Sequence, residues 1–257
     1  MNKLGKGLLL LAGVLLLCAV LLIAGNSELR DGLILLIDPA YFREMKFSYY
    51  RNGGGKEVFL LGTIHSDHLA ISAYSLWHLK AVILHLSPEL LLVESRPEEM
   101  ERGNTGDGPV EMPFAALVAQ SEGIEFRGMD WWTMGDEGLD NEIRENQMFE
   151  IIMHETAGHK KILILTGWSH VEGFRNRLAS LGYEEMPFPA SEKRALFNAA
   201  DIPKVFPAGM ADCIEQRIEI DKEALAKETR AYWKNKLENA IRDRERYLAI
   251  IQATGEG

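Results

Sequence analysis

The chain has 257 residues, which is enough for one sizeable hydrophobic core or for a core with appendages. Its formal net charge of -10 at pH 7 argues against a nucleic-acid surface, since phosphate binding requires clustered Lys and Arg. The 2 Cys residues, Cys18 and Cys213, offer neither a disulfide framework nor a Cys-based zinc motif. Any metal site must therefore use His and carboxylate side chains.

The N-terminal segment 1–25 is predicted to be a membrane anchor. Lys3 and Lys6 precede an uncharged apolar run over 8–24, close to the ~17–25 residues that cross a bilayer. The alternative is a cleaved signal peptide, but the run is long for one and the small-x-small cleavage pattern is poor. The lysines favour an inside N-terminus, which predicts a single-pass membrane protein with its main domain outside the cytoplasm.

Residues 40–257 are predicted to form an α/β domain. A strand over 41–50 and a glycine-rich turn at 53–55 lead into a buried strand that begins at Val58, which indicates a β-hairpin. Apolar residues at helical spacing predict a helix over 71–86, which Pro88 stops, and a second buried strand follows at 89–94. This strand–helix–strand unit favours a parallel pair of strands.

The second half of the chain continues the alternation of helices and strands. Helices are predicted at 113–122, 139–155 and 171–181, and strands at 123–130 and 161–170. The proline-containing segment 187–207 is predicted to be irregular, as a lid or a wrap over the site. The charged segment 208–252 is predicted to be a helical extension that packs on the domain, with a homodimer contact as the alternative.

Two buried strands end in the same pattern, Gly-x-x-His. The first delivers His65 and the second delivers His170, while Glu94 ends the strand between them in the sequence. Open α/β sheets hold ligands at the C-terminal ends of their strands, so the two histidines can meet at one place. Imidazole and carboxylate suit a divalent metal with an open position. They equally suit general-base catalysis with a metal-free water.

Other polar side chains near these strand ends are candidates for supporting roles. Asp67 and His68 follow in the loop of the first histidine, as an additional ligand or as a partner that fixes the imidazole tautomer. Arg144 lies on a helix that otherwise turns apolar residues inward, so it is a candidate for stabilising an anionic intermediate or binding a carboxylate. A surface arginine is the alternative. Three tryptophans near the strand ends are candidates for lining a pocket: Trp131, Trp132 and Trp168.

The ordered set of motifs resembles the TraB/GumN/PrgY family, which includes the Tiki-like proteins, within the superfamily of erythromycin esterase-like and ChaN-like proteins. The matching features are the two Gly-x-x-His units, Glu94 after the second strand, and the 144–148 segment Arg-Glu-Asn-Gln-Met. Asn follows Arg144 by two positions, where the family pattern has one. The resemblance covers residues 57–183 and leaves out the anchor and the C-terminal third.

The resemblance implies an α/β fold with a central mixed sheet flanked by helices and a site at the strand ends. For Tiki-like members it implies a divalent-metal-dependent protease that uses manganese or cobalt. By position, His65, Glu94 and His170 would be metal ligands or catalytic groups, and Arg144 an oxyanion or substrate contact. Members of the wider superfamily also hydrolyse esters or bind haem, so the shared site does not fix the reaction.

Two functions follow as expectations. The first is a membrane-anchored, metal-dependent hydrolase that acts on a peptide or ester outside the cytoplasm. Water would be polarised by a metal held between His65 and His170, and Glu94 would take its proton. The second is a non-catalytic module that binds haem, iron or a peptide in the same pocket.

Overall fold

The computed structural model describes residues 26–132 and 140–256. The chain divides between Glu44 and Met45 into two compact units. The anchor predicted at 1–25 lies outside the described residues. Within the ranges that the structure describes, no helix is long and apolar enough to cross a membrane.

Two helices precede the sheet, and the second occupies the segment where the sequence predicted the beginning of a strand. Helix α1 spans Ser27–Ile37 and helix α2 spans Pro39–Met45. The carboxylate of Asp38 accepts a hydrogen bond from the backbone N–H of Tyr41 at 3.0 Å. An acidic N-cap followed by proline at the first helical position favours a helix, so the strand predicted from residue 41 was wrong before Phe47.

The second unit is built on a six-stranded mixed sheet flanked by helices. Its order is β4-β3-β5-β2-β1-β6. Strand β1 pairs antiparallel with β2 and β6, whereas β2, β5, β3 and β4 run parallel. The strands are β1 (Phe47–Arg51), β2 (Glu57–Thr63), β3 (Leu90–Val93), β4 (Glu125–Gly128), β5 (Lys161–Gly167) and β6 (Glu184–Met186). The predicted α/β class, the mixed sheet and the opening hairpin are thus confirmed.

Helices lie between the strands from β2 to β6, and three more follow β6. They are α3 (Leu76–Leu86), α4 (Pro97–Glu101), α5 (Glu111–Ser121), α6 (Asn141–Glu155), α7 (Val171–Ser180), α8 (Ala190–Leu196), α9 (Met210–Lys227) and α10 (Ala231–Thr254). Helix α3 begins later than predicted because Ser75 caps it in a reciprocal capping box with His78. Short 3-10 turns follow β2 at His65–Leu69 and β5 at Trp168–His170.

Strand β5 occupies the centre of the parallel part of the sheet. The predicted strand–helix–strand unit does give parallel strands, but β2 and β3 do not pair with each other, because β5 lies between them. In the register of β2 and β5, Thr63 lies opposite Gly167. Val93 of β3 lies opposite Leu165. Strands β2 and β5 therefore end level, and β3 ends two residues earlier, which lets the side chain of Glu94 reach the end of β5.

The C-terminal part of the chain forms a helical hairpin of α9 and α10. The apolar stripe of α10 is buried within this chain, as expected for packing on the domain, at Trp233, Leu237, Ile241 and Ile251. The predicted irregular segment before the hairpin contains α8 instead of continuous loop. The rings of Phe188 and Phe197 flank α8 and meet Phe47 of β1 edge-on, with ring centroids 5.1 and 5.9 Å away. This segment therefore packs on the antiparallel side of the sheet.

Candidate functional site

His65 is held at the end of β2 by a carboxylate that is distant in the sequence. Its Nδ1 lies 2.8 Å from Oε1 of Glu111, a fully buried residue in the first turn of α5. Thr63 donates its hydroxyl hydrogen bond to the same oxygen at 2.7 Å. His65 has a φ of +53°, which is uncommon for a residue with a side chain, so the fold holds it in a strained conformation. Its side chain is nevertheless 43 % exposed.

The charges of this pair stabilise each other. Burial alone would lower the pKa of His65, but the charge and hydrogen bond of Glu111, together with the charge of Glu94, outweigh burial and raise the pKa to about 9. Burial alone would raise the pKa of Glu111, but the ion pair with His65 lowers it to about 2. An imidazolium and a carboxylate therefore face each other at neutral pH.

Glu94 emerges from β3 into the centre of the site, and both of its oxygens accept hydrogen bonds. Oε2 accepts from the backbone N–H of Gly167 at 2.6 Å and from the hydroxyl of Thr166 at 3.0 Å. Oε1 accepts from Nη2 of Arg144 at 2.7 Å. Burial would raise the pKa of Glu94, but the charges of Arg144 and of the two histidines hold it below its ordinary range. Glu94 is thus an ionised carboxylate that joins β3, β5 and α6.

Arg144, near the start of α6, binds two carboxylates. Its Nε and Nη2 donate to Oδ1 and Oδ2 of Asp130, both at 2.9 Å, while Nη2 also donates to Glu94. Only 18 % of the Arg144 side chain is exposed, so it is not a surface arginine. Burial raises the pKa of Asp130 in spite of the neighbouring guanidinium, whereas the pKa of Glu94 is lowered. Paired groups with pKa values pushed in opposite directions are typical of functional sites.

His170 is buried on the other side of Arg144. Its Nδ1 lies 3.0 Å from Oε1 of Glu145, whose Oε2 accepts from Nη1 of Arg177 at 2.9 Å. Its Nε2 lies 3.4 Å from Nη1 of Arg144 and 3.9 Å from Oε1 of Glu94. A proton on Nδ1, donated to Glu145, leaves Nε2 as an acceptor that faces the guanidinium.

The two histidines approach the same carboxylate, as the strand register requires. A Cβ added to Gly167 would lie 2.8 Å from Nε2 of His65 and 3.4 Å from Oε2 of Glu94. Glycine at this position therefore gives the first imidazole room beside the second Gly-x-x-His loop. The structure thus brings His65, Glu94, Arg144 and His170 to one edge of the sheet, while their functional roles stay predictions.

Three carboxylates of the site carry partner roles that the sequence analysis missed. Glu111 holds His65, Asp130 holds Arg144, and Glu145 holds His170. The helix predicted from residue 113 left Glu111 in a loop, although an acidic residue before an apolar run is typical of the first turn of a helix. No local pattern identifies which carboxylate reaches which imidazole.

His68 does not join the site. It is buried, its Nε2 accepts from the backbone N–H of Ile64 at 3.1 Å, and its Nδ1 donates to the carbonyl oxygen of Tyr74 at 2.7 Å. Burial lowers its pKa to about 4, so the ring is neutral and shapes the loop after β2. His68 therefore supports the backbone near His65, and it contacts neither His65 nor Glu94 through these hydrogen bonds.

As arranged, the side chains do not fit the three-ligand metal site that the resemblance implies. Among the described residues, no group of three or more His, Cys, Asp or Glu side chains is placed to hold a metal ion. The oxygens of Glu94 already accept three hydrogen bonds, and the guanidinium of Arg144 contacts both this carboxylate and Nε2 of His170. Manganese or cobalt on His65, Glu94 and His170 would require that guanidinium to move.

A cavity of about 470 Å³ adjoins this cluster. Asp130 and Arg144 line it on one side, and residues of the α9–α10 hairpin line it on the other. Of the three tryptophans predicted as pocket walls, Trp132 lines this cavity. Nζ of Lys46 lies 5.2 Å above the ring of Trp168, the tryptophan that follows β5.

Comparison of the chain with models of known protein families, with curated proteins and with solved structures found no match in any of the three. The resemblance to the TraB/GumN/PrgY family therefore stays a prediction. The geometry of the cluster is the observation from which function is inferred.

Proposed function

We propose that the protein is a hydrolase of ester or peptide bonds in which His65 carries the proton. The observation that supports this proposal is the pairing of a part-exposed imidazole with a fully buried carboxylate, at 2.8 Å. Glu111 engages Nδ1, which leaves Nε2 as the nitrogen that exchanges a proton with water or substrate. A carboxylate in this position fixes the tautomer of the ring and stabilises the imidazolium that forms.

In the proposed reaction, the neutral form of His65 takes a proton from water on Nε2 while the water oxygen attacks the carbonyl carbon of the substrate. Arg144 supplies a fixed positive charge for the oxyanion that develops. When the carbonyl re-forms, the bond to the leaving group breaks and the proton passes from Nε2 to that group. His65 is then neutral again, and one water has been consumed for each bond cleaved.

Glu94 and His170 support this chemistry by position. Both oxygens of Glu94 already accept hydrogen bonds from protein groups. This favours a positioning role for Glu94 over the role of proton acceptor that the sequence suggested. His170 lies 5 % exposed behind Arg144 and braces the guanidinium from the side opposite Asp130. His65, the most exposed of the four predicted site residues, is the one that a substrate reaches first.

The setting of the reaction is part of the proposal. The apolar run over 8–24 after Lys3 and Lys6 supports a single-pass anchor with the domain outside the cytoplasm. The ordered motifs support membership of the TraB/GumN/PrgY, Tiki-like group and an erythromycin esterase/ChaN-like sheet. The substrate would be a peptide or an ester outside the cytoplasm.

The test uses the full-length chain, purified in detergent, and panels of ester and peptide substrates. Hydrolysis by the wild type is expected to fall by roughly 10²–10⁴-fold in His65→Ala, the range for a lost general base. His154→Ala is the matched control, because this histidine has 86 % of its side chain exposed and, among the residues that the structure describes, pairs only with the adjacent Glu155. Equal activity of His65→Ala and wild type, with both folded, would overturn the proposal.

The same preparation tests the two alternatives from the sequence. Metal analysis with and without added manganese or cobalt measures whether His65→Ala and His170→Ala lower the bound metal. Stoichiometric haem uptake without hydrolysis of any substrate would favour the binding module.

A further inference from the structure

The cavity beside Arg144 is formed largely by a part of the chain that no family motif covers. Its far wall comes from the α9–α10 hairpin, including Ile220, Trp233 and Leu237. Its near wall includes Arg144, whose Nη2 donates to Glu94 at 2.7 Å. One guanidinium thus separates the cavity from the central carboxylate of the site. Its volume of about 470 Å³ lies within the range of small-molecule sites, roughly 300–1,000 Å³.

Two aromatic rings line this cavity and pack against each other. Trp132 and Trp233 meet edge-to-face, with ring centroids 5.3 Å apart and an interplanar angle of 83°. The guanidinium of Arg96, itself a lining residue, lies 5.7 Å from the centroid of Trp132. A flat aromatic group fits such a corner, because offset and edge-to-face contacts add stabilisation beyond the burial of apolar area.

The cavity also presents one cation that lacks a carboxylate. Each of the four lining arginines pairs with a carboxylate. Arg96 pairs with Asp107 at 2.9 Å and Arg144 with Asp130 at 2.9 Å, while Arg217 and Arg244 pair with Asp221 at 2.9 and 2.6 Å. Lys236 lines the same cavity, and among the described residues no carboxylate lies within ion-pair distance of it. Its Nζ lies 5.6 Å from the ring centroid of Tyr232, on the exposed side of α10. An anionic ligand group would therefore find a free positive charge at the rim.

We propose that this cavity binds an aryl group that carries a carboxylate, and that this group is a part of the substrate that stays intact when the bond beside Arg144 is cleaved. The ring would occupy the corner of Trp132 and Trp233, and the carboxylate would lie toward Lys236. The second clause rests on the proposed hydrolase function, whereas binding of the aryl carboxylate does not. The C-terminal hairpin then determines substrate specificity in addition to packing on the domain.

Isothermal titration of the full chain with 3-phenylpropionate tests the proposal, with a blank titration into detergent alone. Two matched probes separate the contributions: hexanoate keeps the carboxylate without the ring, and 3-phenylpropionamide keeps the ring without the charge. Saturable one-to-one binding of 3-phenylpropionate, tighter than that of both relatives, is expected. Equal binding of hexanoate or of the amide, or no binding of any probe, would overturn the proposal.

Variants locate the binding. Lys236→Gln is expected to weaken binding of 3-phenylpropionate about 2–5-fold, as for the loss of an exposed ion pair, while leaving binding of the amide unchanged. Lys234→Gln, on the same helix but outside the cavity lining, is the matched control. Trp132→Leu is expected to weaken both aryl probes about 2–10-fold. Wild-type affinity in both Lys236→Gln and Trp132→Leu would contradict this placement.

Failure of this inference is distinguishable from failure of the hydrolase proposal. His65→Ala leaves the cavity lining intact, so it is expected to bind 3-phenylpropionate as the wild type does. Binding without any hydrolysis would refute the catalytic proposal and keep the cavity assignment. Hydrolysis without binding of the aryl carboxylate would keep the catalytic proposal and refute the cavity assignment.

Discussion

Substitution of Glu111 by Gln tests the pair on which the proposed chemistry depends. Gln keeps the size of the side chain and one hydrogen-bonding oxygen, but it removes the negative charge that faces His65 at 2.8 Å. Burial then acts on the imidazole with no compensating charge from Glu111. We therefore expect the pKa of His65 to fall from about 9 toward its ordinary value of 6.5.

The magnitude follows from this difference. At ~1.36 kcal/mol per pKa unit, a change from about 9 to 6.5 would correspond to ~3.4 kcal/mol. Because 43 % of the His65 side chain is exposed, solvent screening reduces the interaction, and we expect ~1–2 kcal/mol. The expected fall in the pKa of His65 is therefore ~0.7–1.5 units.

The same variant also tests how the stability of the His65–Glu111 pair depends on pH. The raised pKa of His65 stabilises the fold fully below 6.5, and this contribution is lost as pH rises through about 9. The lowered pKa of Glu111 stabilises the fold above 4.5, and this contribution is lost as pH falls through about 2. The difference in unfolding free energy between wild type and Glu111→Gln should therefore be largest between pH 4.5 and 6.5.

The assay is an NMR titration of the imidazole C–H signals, with His65 assigned by its absence from His65→Ala. Glu122→Gln, at the exposed C-terminal end of the same helix, is the matched control and should leave the titration unchanged. A pKa of His65 that stays near 9 in Glu111→Gln would refute the view that this carboxylate holds the imidazole charged.

Hydrolysis by the wild type should rise with pH up to about 9, because the neutral form of His65 is the proton acceptor; a rate that falls over this range would contradict that role. Gly167→Ala places a Cβ 2.8 Å from Nε2 of His65, so the imidazole ring must move. We expect the rate of hydrolysis to fall by about 10²-fold, while the circular dichroism spectrum stays unchanged. Gly53→Ala meets nothing within 4 Å and is its control. Asp107→Asn removes the buried carboxylate that pairs with the buried guanidinium of Arg217 in α9, so the free energy of unfolding in urea should fall by ~3–5 kcal/mol. The exposed Asp243→Asn is its control and should change this free energy by less than ~0.5 kcal/mol. A chelator is expected to leave hydrolysis unchanged, whereas manganese-dependent activity would support the metal site implied by the resemblance.

The secondary structure followed from the sequence wherever one local signal dominated. Apolar runs ended by glycine gave β2 and β5, and helical spacing gave α6, α7 and the hairpin. The prediction was wrong over 41–46, where the Asp38-Pro39 pair specifies a helix start that the apolar pattern obscured. The parallel direction of β2 and β3 was also predictable, because a short crossover favours it.

What the sequence by itself determined is the position of each imidazole at a strand end, since a buried strand, a glycine and a following histidine are local features. The tertiary structure decided which strands became neighbours, and it inserted β5 between β2 and β3. It also decided the carboxylate partner of each imidazole, because Glu111 lies 46 residues from His65 and Glu145 lies 25 residues from His170. Contacts at such separations depend on packing of the whole domain, and no periodicity or capping signal encodes them.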